Sequence, residues 1–106
     1  MELKKLLEGI QYECVQGDVQ REVTEVVYDS RKISAGCLFI CIEGANFDGH
    51  DFGAEAVSRG ASGLVVSKDI PGLENSDAVV IRVEDTRYAM AFISAAYFGH
   101  PADQLK

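Results

Sequence analysis

Residues 37–44 read CLFICIEG, and the first six of them, Cys37 to Ile42, are apolar at odd and even positions alike. Successive side chains of a strand point to opposite faces of its sheet, so a strand that is apolar on both parities must be covered on both sides. A half-wet antiparallel sheet would place a polar residue at every second position. The stretch therefore predicts a sheet with helices on each face.

Outward from it, residues 24–28, 62–66 and 78–83 carry the β-branched and apolar content of further strands. Helices are expected over residues 2–7, 51–59 and 86–98. In the last of these Asp85 is placed as the N-cap, Met90, Phe92 and Ile93 are apolar, and Gly99 then Pro101 act as stops. Its alanines, Ala89, Ala91, Ala95 and Ala96, make it narrow and suit close packing on a sheet. Residues 68–77, KDIPGLENSD, read as a surface connection. The order of elements predicts an α/β domain of three α/β/α layers around a mixed sheet of about four to five strands.

With 106 residues, 47% of them hydrophobic, the chain suffices for one domain, residues 1–106, and is too short for two. It ends on HPADQLK just after the long helix, where a further strand or linker would fit. The net charge of -7 excludes nucleic acid and anionic membranes as natural partners, so any anionic ligand must be held by local donors. Apolar runs such as LFICI are far below the ~20 residues of a membrane helix, and no leader-like segment opens the chain, which predicts a cytoplasmic protein. Cys37 and Cys41, four apart on one strand, would lie roughly 13 Å from each other, beyond disulfide reach. They are expected as buried free thiols. Cys14, His50 and His100 add no ligand spacing, so no metal is assigned.

Two polar loops flank the buried strand. Asp29, Ser30 and Arg31 follow a strand end, where open α/β sheets commonly bind ligands. A hydroxyl there, beside Arg31 and Lys32, can donate to a phosphate or a base carbonyl, and the plain alternative is a turn closed by Asp29 and Ser30 on their own backbone. The second loop, GANFDGHDF over residues 44–52, has two glycines that let backbone N–H groups approach a ligand. Its plain alternative is a solvated loop with Asp48-Gly49 as a tight turn. Neither GxxxxGK[ST] nor GxGxxG occurs. A triad of Ser30, His50 and Asp48 can be written down, but without a GxSxG elbow no catalytic residue is assigned, and His50 is read as a helix-start or core-edge residue. His100 is placed at the helix exit.

The order Asp29-Ser30-Arg31, then Gly36, Leu38, Phe39 and Gly44, then Asp48-Gly49-His50 and Phe52, then Ala56, Gly60 and Ala61 resembles the amino-terminal domain of the Mur ligases. The resemblance covers about the central third of the chain. It implies the UDP-binding domain of a cytoplasmic, ATP- and Mg2+-dependent ligase of peptidoglycan synthesis, whose partners are the remaining domains and UDP-N-acetylmuramoyl-L-alanyl-D-glutamate. The opening MELKKLLEGI and the closing run from Val83 look like the members that add a diamino acid, meso-diaminopimelate or L-lysine, as third residue of the stem peptide. Members that add the terminal dipeptide are the alternative, and a receiver-like module with Asp29 as acceptor is a more distant one. The resemblance implies that Ser30 and Tyr28, with Ala45, Asn46 and Phe47, contact the UDP moiety. It leaves Asp29 and Arg31 as structural residues, paired or capping, and Asp48 and Gly49 as turn-makers. No cofactor is expected on this chain itself.

Overall fold

The structure, a computed structural model, describes residues 2–44, 46, 48–73 and 76–97. Among the described residues five strands make one sheet: β1 (Glu13–Gln16), β2 (Val26–Val27), β3 (Leu38–Ile40), β4 (Gly63–Val66) and β5 (Val79–Arg82), in the order β1-β5-β4-β3-β2. β2 to β5 are mutually parallel neighbours, and β1 closes the far edge antiparallel to β5. The sheet is mixed, as expected.

The two-faced reading of residues 37–42 decides the layers. Leu38 and Ile40, with Ile42, point to one face beside Val65, Val79 and Ile81, under Leu3 and Leu6 of α1 (Leu3–Leu6) and Ala89 and Ile93 of α3 (Thr86–Tyr97). Cys37, Phe39 and Cys41 point to the other face, where Leu64, Val66 and Val80 meet Ile33, Leu73 and Ala56 of α2 (Gly53–Ser58). Cys37 through Cys41 are 0% exposed. Burying a side chain the size of Leu38, Phe39 or Ile40 is worth about 1.5–3 kcal/mol, so this one strand is a principal anchor of both layers.

Each strand is shorter than its apolar run, because the ladder ends where its neighbour does: β2 pairs with β3 only at Val26↔Leu38 and Val27↔Phe39. β1 was not expected. Glu13, Cys14 and Val15 are exposed, and the register slips between Cys14 and Gln16, so this edge strand lacks the buried alternation that marks a strand in sequence. Gln16 turns inward and its side-chain amide donates to the Leu73 and Ala78 carbonyls, both at 2.9 Å, tying the edge to the irregular β4–β5 connection.

The helices also differ in detail. The one expected over residues 51–59 is a 3₁₀ turn, Gly49–Phe52, continued by α2. A second 3₁₀ turn, Ser30–Lys32, follows β2. Asp85 does cap α3, its Oδ1 accepting the Arg87 N–H at 2.9 Å. Its alanines do not all pack on the sheet. Ala89 is buried and Ala96 half-buried, whereas Ala91 and Ala95 lie on the outer face with Phe92, as the ~100° step between helical residues requires. Phe98, Gly99, His100 and Pro101 lie outside the described residues. Among the described residues no helix is long and apolar enough to cross a membrane.

Cys37 and Cys41 are buried free thiols, and Cys14 is an exposed one. Burial, helped by the nearby Asp48 charge, pushes the Cys41 thiol up to about 12.

Candidate ligand site at the carboxyl edge of the sheet

Four parallel strands end at one edge of the sheet, the edge at which open α/β sheets take ligands. Tyr28 to Arg31 leave β2 there, Glu43 to Gly49 follow β3, Ser67 and Lys68 follow β4, and Glu84 to Arg87 follow β5.

In the first turn Asp29 sits at the N-cap of the 3₁₀ turn, and its Oδ1 accepts the Arg31 N–H at 2.9 Å. The Arg31 guanidinium closes onto the same carboxylate, Nε to Oδ1 at 3.1 Å and a terminal nitrogen to Oδ2 at 2.9 Å. These hydrogen bonds lower the Asp29 carboxyl to about 2 and raise Arg31. The turn is thus made by Asp29. The Ser30 hydroxyl has no hydrogen-bond partner among the described residues. With Tyr28, which is 57% exposed, Ser30 lines a shallow cleft of about 370 Å³ whose walls are Tyr28 to Arg31.

The second loop begins and ends on an antiparallel bridge between Glu43 and Asp48. Gly49 N–H then bonds the Ile42 carbonyl at 2.8 Å. A Cβ at Gly49 would stand 2.7 Å from the Ile42 nitrogen, so only glycine lets the chain return this close to β3. Asp48 caps the following 3₁₀ turn through the His50 N–H at 2.9 Å. The same Oδ1 meets His50 Nδ1 at 2.6 Å, and Oδ2 takes the Lys68 ammonium. Burial works to raise the Asp48 carboxyl, but the Lys68 and His50 hydrogen bonds outweigh it and hold the group well below the usual carboxylate range. Asp48 in turn raises Lys68.

His50 is buried, and the Ser67 N–H donates to its Nε2 at 3.0 Å. An acceptor at Nε2 places the ring proton on Nδ1, facing Asp48. Asp48, His50 and Ser67 carry the residue types of a hydrolytic triad, yet the Nε2 lone pair is spent on an amide, and the Ser67 hydroxyl is at 3.5 Å. Ser30 is not part of it. The trio ties the β3 loop to the end of β4 and has no free base to activate a nucleophile.

Tyr28 and Ser30 therefore share one cleft, and Asn46 is exposed in the loop that follows the adjoining strand. Ala45 and Phe47 lie outside the described residues. Farther along the same edge Glu43, Ser67, Glu84, Asp85, Thr86 and Arg87 line a polar cleft of about 410 Å³. Lys68, Ser67 and Arg87 escaped the sequence reading. Their position directly after β4 and β5 is the signal that could have found them. Among the described residues no three His, Cys, Asp or Glu side chains come together as a metal site.

The sequence matches the model of the Mur ligase family, catalytic domain, over residues 22–98. It is similar to a Clostridium perfringens protein named UDP-N-acetylmuramoyl-L-alanyl-D-glutamate--2,6-diaminopimelate ligase, 43% identical over 106 residues, which are 100% of this chain and 22% of that protein. The protein of the same name from Oceanobacillus iheyensis is 43% identical over 102 residues, 95% of this chain and 20% of its own length. The chain thus spans about a fifth of the curated relatives it matches. A crystal structure of MurF from Acinetobacter baumannii superposes with a TM-score of 0.75, covering 91% of this chain and 20% of its own, at 24% identity, a likeness of fold. On the family match and the similarity along the whole of this chain, this chain belongs to the Mur ligase family.

Proposed function

We propose that the chain is the amino-terminal, UDP-binding domain of the ligase MurE, which adds diaminopimelate to UDP-N-acetylmuramoyl-L-alanyl-D-glutamate in cytoplasmic peptidoglycan synthesis. The observation that carries the proposal is the Ser30 hydroxyl. It stands half-exposed at the carboxyl end of β2, without a hydrogen-bond partner among the described residues, and lines a cleft with Tyr28. The names of the full-length relatives support the choice of acceptor and amino acid.

In this reading Ser30 donates to or accepts from the uracil or ribose, the exposed Tyr28 ring offers a face on which a base can stack, and Ala45, Asn46 and Phe47 close the other side. The chain binds and orients one end of the substrate. ATP and Mg2+ would be handled by the rest of the ligase, because the residues here do not suit them: the sequence has no GxxxxGK[ST] loop, and among the described residues no three His, Cys, Asp or Glu side chains are grouped so as to hold a metal ion. Although the matching family model is described as a catalytic domain, the groups at this edge are binding groups.

Titration of the 106-residue chain with UDP and with the UDP-linked dipeptide, followed by amide chemical shifts, tests the proposal. The expected shifts cluster at Tyr28, Ser30 and Asn46. A folded chain whose spectrum stays unchanged at millimolar ligand would overturn it. Release of phosphate from ATP by the purified chain would contradict the division of labour.

A further inference from the structure

Glu43 and Asp48 face each other across the bridge that closes the second loop, and opposed like charges on paired strands repel. The Lys68 ammonium lies between them, hydrogen-bonded to Asp48 Oδ2 and 3.6 Å from Glu43 Oε2. Two further ties reach the same stem: Arg87 donates to the Glu43 carbonyl at 3.0 Å, and His50 links Asp48 to the Ser67 N–H. The feet of the loop are thereby fastened to the end of β4 and the start of α3.

We propose that Lys68 is a positioning residue, bridging the carboxylates of Glu43 and Asp48 so that Gly44 and Asn46 are presented to the ligand edge in one fixed arrangement. This role rests on the reading of that edge as the UDP site. Lys68 works through the loop and not by touching substrate, since its charge is already shared between two carboxylates.

The test compares Lys68→Met, which keeps the apolar stem, with the double variant Lys68→Met/Glu43→Gln, which removes the repulsion that the lysine offsets. In the complete ligase the single variant should raise KM for the UDP-linked substrate about three- to tenfold with kcat unchanged, the range expected of a partly exposed charge network. The double variant should return KM to within about twofold of wild type. In the isolated chain, amide exchange at Gly44 and Asn46 should quicken in the single variant and slow again in the double. If KM rises and Glu43→Gln fails to restore it, Lys68 meets the substrate itself and the positioning role is wrong. Unchanged KM and unchanged exchange in Lys68→Met would overturn it as well. If instead UDP leaves exchange at Ser30 and Asn46 of the wild-type chain untouched, the UDP reading falls and takes the positioning role with it. A failed rescue overturns the role of Lys68 alone.

Discussion

Asp29 and Asp48 open the two 3₁₀ turns with nearly the same backbone, φ -110° and ψ 122° in one, φ -126° and ψ 117° in the other. Each Oδ1 accepts the N–H two residues on, from Arg31 or His50, and each carboxylate also takes that residue's side chain. Beyond this point they part. The Arg31 side chain is 87% exposed, so the first pair closes within its own turn. The His50 side chain is 3% exposed and passes the tie on to Ser67, while Lys68 adds a second link. The same local chemistry makes a self-contained mount for Ser30 in one place and a cross-brace between two strands in the other. Burial of the partner decides which.

The cross-brace depends most on His50. Replacing it with leucine keeps apolar volume but leaves the half-buried Ser67 N–H without its acceptor and the half-buried Asp48 without its ring donor. The expected loss is about 2–3 kcal/mol, or a fall in Tm of roughly 10–20 °C for a domain of this size. A thermal melt within a few degrees of wild type would remove the cross-brace from the account.

The brace should also be sensitive to acid. A carboxyl whose folded value is depressed contributes stability that is fully present above its unfolded value, about 3.9, and is lost as pH falls through the folded value. Asp48 is depressed, so the stability gap between wild type and Asp48→Asn should be widest above about pH 4 and narrow steadily below it. Urea unfolding at a series of pH values measures this, and a gap independent of pH would show that the charge of Asp48 is immaterial. The smallest effect is expected at Asp29. Its pair with Arg31 is exposed and screened, so Asp29→Asn should shift the melt slightly at low salt and not at all at high salt. A loss that persists in high salt would mean that this turn is braced as well.

The layers of the fold were legible because parity is local: Cys37 to Ile42 announce two covered faces within six residues. β1 was not, since ECVQ becomes a strand only by pairing with residues of β5 far along the chain, Glu13 with Arg82. In α3 the alanine count was visible while its phase was not, and phase sends Ala91 outward and Ala89 inward. The site divides along the same line. The Asp29–Arg31 pair and the Asp48-Gly49 turn span two or three residues and could be read. The Asp48–Lys68 contact joins residues from two strand ends and depends on the β3–β4 pairing.

In the proposed function Ser30 serves a ligand and not its own turn. Kinetics of the complete ligase carrying Ser30→Ala test this, because among the described residues the hydroxyl has no bond whose loss could be mistaken for loss of binding. One hydrogen bond to a charged or strongly polar ligand is worth about 1.5–3 kcal/mol, so KM for the UDP-linked substrate should rise roughly ten- to a hundredfold. The constants for ATP and for the amino acid, and the melting temperature, should stay near wild type. Equal shifts in all three constants, or a lowered melting temperature with KM unchanged, would contradict the account.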